Sequence, residues 1–405
     1  MKERRIGIVG AGPAGIMAAL EAARLGAQVL LFDQNDAVGR KLLATGNGRC
    51  NISNVCATAE SYVCGDRGFL ETALGRFGHK ATMARLAELG ILTHSTSDGW
   101  CYPLSDSAVT VVDALTAAVE LAGVKVSLNH RIADIRPSGD QFTLSAGSPA
   151  QAQTVDRVVV AAGGKAYPTL GSRGELYPIL ERLGHRIAPI YPALAPIVAD
   201  IRHLSKLQGV RMDVGLTLYE GDRVLEETVG NLMFTEFGFS GPAPMNLSHL
   251  VSTRPGASLS VSIDLAPYYR EELLSLIRRK RAERVPLRVV LSAVLPAKAP
   301  PVLIQMAGLV PHARLSDVSE AELGRVLDCV THLTARVRGT RSFQFAQVST
   351  GGVPVDEVDP RTMASLRVPG LHLAGEVLDV IGPCGGFNLQ WAFTSGALAG
   401  AGAAN

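Results

Sequence analysis

Short apolar runs alternate with amphipathic stretches of helical spacing through the first third of the chain. Ile6–Val9 predicts a strand, the Ala-rich segment Ala14–Leu25 a helix, and Val29–Phe32 a second strand, so Arg5–Asp33 reads as a β–α–β unit. Helices are predicted over Phe69–Leu89 and Val109–Ala122, and a small β-meander over Lys125–Asn129, Ile132–Arg136 and Gln141–Leu144. Arg157–Ala162 is nearly unbroken in its apolar character, as in a strand buried on both faces, and it runs into Gly163-Gly164.

The pattern changes after Pro189, Pro192 and Pro196, which mark a domain exit. Val214–Tyr219, Arg223–Thr228 and Ser258–Asp264 alternate as antiparallel strands do, with Gly221-Asp222 as a hairpin turn. Helical spacing then covers Tyr268–Glu283, Leu287–Val294, Pro301–Leu309 and Glu320–Thr334. The tail returns to the opening pattern: a short strand, Leu371–Leu373, leads to Gly375-Glu376, and a small-residue helix follows over Asn388–Ala401. The expected organisation is one α/β domain in two parts, residues 1–190 and 346–405. An insertion at 191–345 separates them, β-rich over 191–267 and helical over 268–345.

Three glycine clusters carry the chemistry. Gly10, Gly12 and Gly15 fill a GxGxxG turn between strand and helix, where N–H groups and the helix dipole receive a pyrophosphate. Asp33 follows Gly15 by 18 residues, at the end of the second strand, placed to accept from ribose hydroxyls. Flavoproteins of the glutathione reductase type combine such a turn with a buried strand ending near Gly-Gly and a C-terminal strand with Gly-Asp or Gly-Glu. Val158–Gly164 and Leu371–Glu376 supply the other two, in that order, so FAD is expected over NAD. No second GxGxxG is present, so NAD(P)H, as a transient electron donor, would visit without a Rossmann module of its own.

The 405 residues are 47% hydrophobic and 19% charged, which suits a folded α/β protein. No apolar run approaches the roughly 18 residues needed to span a bilayer, and the first strand begins too early to leave room for a signal peptide. A cytoplasmic protein without a membrane partner is expected. The six cysteines show neither a CxxC pair nor zinc-like spacing, so free thiols and no metal site are expected. Net charge is only +2, yet residues 268–345 hold 13 Lys and Arg against 7 Asp and Glu. Arg278–Arg281 and Arg284 are either a solvated face or a contact for an RNA backbone.

Gly39-Arg40-Lys41-Leu42-Leu43-Ala44-Thr45-Gly46-Asn47-Gly48-Arg49-Cys50-Asn51-Ile52-Ser53-Asn54 is similar to the GRK(L/I)xxSGGGRCNxTN signature of the BaiN-like flavoproteins. That group includes aminoacetone oxidase-like enzymes and the bacterial ribosomal RNA dihydrouridine synthase. Phe234–Pro242, Thr350–Met363 and Gly375–Ala392 resemble further blocks of the family, so the resemblance spans the chain. Asn47, Glu236 and Phe387 depart from the usual Gly, His and Tyr, as in a divergent subgroup. The resemblance implies an α/β Rossmann-like FAD-binding domain interrupted by a β-barrel-like domain with a helical subdomain.

Cofactor contacts are then expected from Gly10, Gly12, Pro13, Ala14, Gly15, Asp33 and Gln34, and from Arg40, Lys41, Gly46, Asn47 and Gly48. Ala162, Gly163, Gly164, Gly375, Glu376 and Asp379 join them, with Gly385, Gly386, Phe387, Asn388 and Leu389 beside the flavin ring. Cys50 and Arg49 are the catalytic candidates, Cys50 either as an acid or as an inert buried thiol. Tyr102-Pro103 and Tyr167-Pro168 are candidates to frame the substrate; His94, His185 and His372 read as structural.

The expected activity is hydride transfer between flavin N5 and substrate. One form reduces an activated C=C bond, such as uridine in ribosomal RNA, with NAD(P)H as donor; another oxidises a small amine with oxygen. The non-enzymatic alternative is an RNA-binding or assembly protein that keeps FAD as a structural ligand. The sequence leaves oligomeric state open.

Overall fold

The computed structural model describes residues 4–146 and 152–405. The chain divides into two compact units, one running to Tyr191 and resuming at Gln347–Asn405, the other Pro192–Ala346.

In the first unit a five-stranded sheet has the order Leu371–Leu373, Arg157–Val160, Arg5–Val9, Gln28–Phe32, Lys125–Ser127. All its pairings are parallel, with Ile6 opposite both Arg157 and Val29. Ile6, Ile8, Val158, Val159 and Leu371 are fully buried, as the continuous apolar runs require of strands covered on both faces. The helix Pro13–Arg24 packs on the C-terminal helix Phe387–Ala404. Side chains at Gly396 and Gly400 would collide with the backbone oxygens of Ala14 and Ala18, so this contact is made backbone to backbone.

Two expectations in this unit need correction. Phe69–Leu89 is two helices, Arg67–Arg76 and His79–Glu88. Asp66 caps the first by accepting from the Gly68 N–H, and Gly78, extended, starts the second. The meander also divides: Lys125–Ser127 takes the open edge of the parallel sheet, while Asp134–Ser138, Gln141–Ser145 and Gln153–Val155 form a separate antiparallel sheet.

The second unit is built on a closed six-stranded barrel in the order Ile197–Ala199, Gly238–Ser240, Arg223–Phe234, Arg211–Glu220, Leu259–Asp264, Leu333–Thr340. Helices Arg270–Lys280, Leu287–Leu291, Ala299–Met306 and Glu320–Thr331 precede the last strand. The segment 268–345 is therefore not helical throughout. Leu333, Ala335 and Val337 point inward and alternate with exposed Thr334, Arg336 and Arg338, and this strand pairs on both sides to close the barrel. Among the described residues no helix is long and apolar enough to cross a membrane.

Candidate functional site

The three glycine segments lie at the carboxyl ends of three neighbouring strands: Gly10 after Val9, Gly163 after Val160, and Gly375 after Leu373. The carboxyl edge of an open parallel sheet is where ligands bind, because loops diverge there and helix N-termini converge. Gly10 has φ +107°, and a side chain on it would strike Ala161. Gly15 lies against the Gly10 oxygen and admits no Cβ, whereas a Cβ on Gly12 would meet nothing within 4 Å. Gly12 caps the first helix, with Pro13 at its start and Ala14 buried behind it. The turn thus presents a helix N-terminus to open space.

Asp33 braces this turn, its Oδ2 accepting from the Ala11 N–H at 2.6 Å and its Oδ1 from Asn35 at 2.8 Å. One further acceptor position on each oxygen remains for ribose hydroxyls. The Gln34 amide donates to the Gly171 carbonyl. Beside Asp33 the His130 ring packs on Phe32, tilted by 38° with centroids 5.2 Å apart, and its buried Nε2 has no hydrogen-bond partner.

Lys41 reaches across the unit to Glu376, Nζ to Oε2, at 2.9 Å. The other Glu376 oxygen accepts from the Ser349 N–H and hydroxyl, both at 2.9 Å. A side chain on Gly164 would displace Ser349 and Glu376, which explains the glycine after Ala162 and Gly163. Asp379 accepts from the Gly351 N–H at 2.8 Å, and burial pushes its carboxyl above the ordinary range. Arg40 departs from this group: it is paired at the surface with Asp36.

At the other end of the site, Asn388 clamps the turn before the C-terminal helix. Its Oδ1 accepts from the Gly382 N–H at 2.9 Å, and its Nδ2 donates to the Gly382 oxygen at 2.8 Å. Gly386 caps that helix, too close to the Ser53 oxygen to carry a side chain. Phe387 is buried, its carbonyl accepting from the Tyr62 hydroxyl at 2.9 Å, and Leu389 is half-buried. One turn further on, fully buried Gln390 accepts from the Ser53 hydroxyl at 2.6 Å and donates to Thr82 and Thr394. This network ties the helix start to the segment that follows the Arg-Cys-Asn signature.

Gly46, Asn47 and Gly48 have φ values of +58°, +55° and +84°. Asn is the side chain other than Gly that best tolerates this region, so the family's departure at Asn47 preserves the loop. Asn47 is exposed, so Asn47→Val is expected to cost about 1–2 kcal/mol through backbone strain alone. Asn47→Gly is expected to leave urea midpoints of the apoprotein close to wild type.

Cys50 is 0% exposed. Burial pushes its thiol up to about 11, so it is protonated at neutral pH but faces the core. In this structure the thiol lies within the hydrophobic core and meets no open surface. Cys384 is pushed up by burial to about 12, and none of the six cysteines is disulfide-bonded. Arg49 points the other way. Its guanidinium lies 4.1 Å over the Tyr102 ring and donates to Asp106 Oδ1 from Nη2 at 2.6 Å and from Nε at 3.1 Å. Tyr167 takes φ +52° in its loop. Ser349, Gln390, Asp106 and Trp100 escaped the sequence reading; the first two stand beside or inside motifs already singled out, whereas Asp106 has no local signal. Among the described residues no group of three or more His, Cys, Asp and Glu could hold a metal ion.

The family described as HI0933-like protein Rossmann domain matches residues 4–402. The 3-dehydro-bile acid delta(4,6)-reductase of Clostridium scindens is 34% identical over 99% of each chain. The ribosomal RNA dihydrouridine synthase of Escherichia coli is 32% identical over 96% of this chain and 95% of that one, and its Haemophilus influenzae counterpart is 31% identical. Among solved structures, a 3-ketosteroid delta1-dehydrogenase from Sterolibacterium denitrificans covers the whole of both chains with a TM-score of 0.52 at 12% identity. A 3-ketosteroid-delta4-(5alpha)-dehydrogenase from Rhodococcus jostii gives 0.51 at 15%, covering 100% of this chain and 97% of that one. These two likenesses concern the fold.

Proposed function

This chain belongs to the HI0933-like Rossmann family and is an FAD-dependent oxidoreductase; on that premise we propose that it reduces a carbon–carbon double bond conjugated to a carbonyl. The relatives' names share that chemistry. A 3-dehydro-bile acid delta(4,6)-reductase saturates bonds conjugated to a 3-oxo group, and a dihydrouridine synthase saturates a uracil bond conjugated to a ring carbonyl.

The observation that carries the cofactor assignment is the open space at Gly12, at the mouth of a helix N-terminus and at one end of a row of three adjacent glycine-ended strands. The Gly10–Gly15 turn would take the pyrophosphate, Asp33 and the unpartnered His130 Nε2 the adenosine end, and Gly385, Gly386 and Phe387 the ring. When bound, the flavin supplies the hydride. The protein's part is to aim the helix starting at Phe387 at the edge where negative charge develops, and to keep water out. NAD(P)H is the donor in this reading. On the ribosomal RNA form of the substrate, exposed Arg278, Arg279, Arg284 and Arg288 contribute phosphate contacts.

Under nitrogen, NAD(P)H is expected to bleach the yellow protein. Adding 4-androstene-3,17-dione or a uridine-containing ribosomal RNA fragment should restore the colour, giving a product heavier by two hydrogens. If neither acceptor restores the colour, while a small amine bleaches the oxidised protein and yields peroxide in air, the reductase reading fails in favour of the oxidase.

A further inference from the structure

We propose that Arg49, His94 and Asp106, set over the aromatic row Trp100–Tyr102, receive the conjugated carbonyl of the substrate, with Arg49 holding its oxygen and His94 supplying the proton. The inference rests on the conjugate-reductase reading and names the residues and ring chemistry of that site.

Ser53–Asn54, Trp100–Pro103 and Thr93–Ser95 form a three-stranded antiparallel sheet in which His94 stands directly opposite Tyr102. Trp100 and Tyr102, two residues apart, share a face with His94. The ring centroids are 6.1 Å apart for His94–Tyr102 and 6.5 Å for Trp100–Tyr102. This row packs against both glycine loops assigned to the cofactor. A Cβ on Gly46 would lie 3.4 Å from the Tyr102 ring, and one on Gly385 would lie 2.9 Å from the Trp100 indole nitrogen.

A single carboxylate oxygen organises the charges. Asp106 Oδ1 takes both Arg49 bonds and stands 3.5 Å from His94 Nε2. The Arg49 hydrogen bond holds the Asp106 carboxyl below its ordinary range, so it stays ionised. With His94 protonated, two cations share one anion, leaving a net positive site suited to an enolate oxygen. Stability does not account for the arrangement. Asp106 takes φ +49°, a left-handed conformation that Asp and Asn adopt more readily than other non-glycine residues. Exposed ion pairs return only about 0–1 kcal/mol, and both partners are nearly half exposed.

The step balances. A hydride from the reduced flavin forms the C–H bond at the carbon β to the carbonyl, and the π pair moves onto the oxygen facing Arg49. The His94 N–H proton then goes to the α carbon, leaving neutral imidazole to regain a proton from water. The substrate gains two electrons and two hydrogens; the flavin, recharged by NAD(P)H, loses two electrons. A planar ring carrying C=C–C=O has two sources, a uracil or a steroid enone. Tyr102 is buried with Arg49 over its ring, so half-buried Trp100 is the ring that meets either.

Two probes separate these sources: uridine and 4-androstene-3,17-dione, each titrated against the tryptophan fluorescence of FAD-free and FAD-loaded protein. At least one should quench in the wild type. Arg49→Met should weaken that quenching about tenfold, whereas His94→Gln should preserve it. In the anaerobic half-reaction His94→Gln should slow recovery of the yellow colour about 100-fold, and added imidazole should restore it; Arg49→Met should not respond to imidazole. The flavin spectrum should be unaltered in both variants, reporting an intact cofactor site. Quenching indifferent to Arg49→Met, or wild-type recovery in His94→Gln, would overturn the inference. Failure of wild-type protein to recover with either probe would instead sink the reductase reading, and the fluorescence titration would still decide the binding role of Arg49.

Discussion

Gly12→Asp is expected to leave the apoprotein as stable as wild type, or roughly a few tenths of a kcal/mol more so, while abolishing retention of FAD. Gly12 has φ −80° and ψ −176°, a conformation open to any residue, and its Cβ would enter unfilled space. It is the helix N-cap, where Asp accepts from first-turn N–H groups and gains a few tenths of a kcal/mol, roughly, over Gly. The same carboxylate would occupy the place assigned to the pyrophosphate and repel it, so affinity should fall by at least about 100-fold, near 3 kcal/mol. Gly15→Ala makes the contrast, since its methyl group would collide with the Gly10 oxygen and disrupt fold and cofactor together. Calorimetry of the apoprotein and flavin titration check both. Stoichiometric yellow protein from Gly12→Asp would remove the cradle from the first helix.

The second large effect concerns Glu357, which is 1% exposed. It faces His185 Nδ1 at 2.8 Å and accepts from Arg186 Nε at 2.8 Å, from the Arg186 N–H at 3.1 Å and from Arg367 Nη2 at 3.2 Å. The far nitrogen of His185 meets the Ser365 hydroxyl at 2.8 Å. Burial alone would raise the Glu357 carboxyl. Hydrogen bonds from Arg186 and His185 more than reverse this and bring it down to about 2. Because the folded value lies below the ordinary 4.5, the carboxylate stabilises the fold above pH ~4.5. That contribution, on the order of 3 kcal/mol, is lost as pH falls toward 2. The melting temperature should decline over that window, and Glu357→Gln should flatten the decline. Glu357→Leu strands Arg186 and a buried histidine and should cost about 3–5 kcal/mol at pH 7. A wild-type urea midpoint for Glu357→Leu would show that the cluster is not structural.

What could be read from sequence depended on whether the determining contacts were local. Each glycine segment followed a buried apolar strand, so both the sheet edge and the residues along it were legible. The strand Leu333–Thr340 was not. Val326, Val330, Leu333 and Val337 continue a helical spacing, while Leu333, Ala335 and Val337 have the period of a strand, and only barrel closure decides between them. Asp106 lay in a polar loop 57 residues from the arginine it organises, and no periodicity reports such a pairing. Cys50 sits between polar Arg49 and Asn51, a context that left an acid and an inert buried thiol equally open; the side chain is fully buried. His185 did read as structural, though the carboxylate it serves is 172 residues away.

The backbone-to-backbone seat of Ala14 and Ala18 on Gly396 and Gly400 has a consequence for biosynthesis. A nascent chain emerging from the ribosome makes its dinucleotide turn long before the helix that buttresses it. Pigment uptake must therefore wait until that helix has been made, and a protease that removes it should bleach the holoprotein while sparing the barrel.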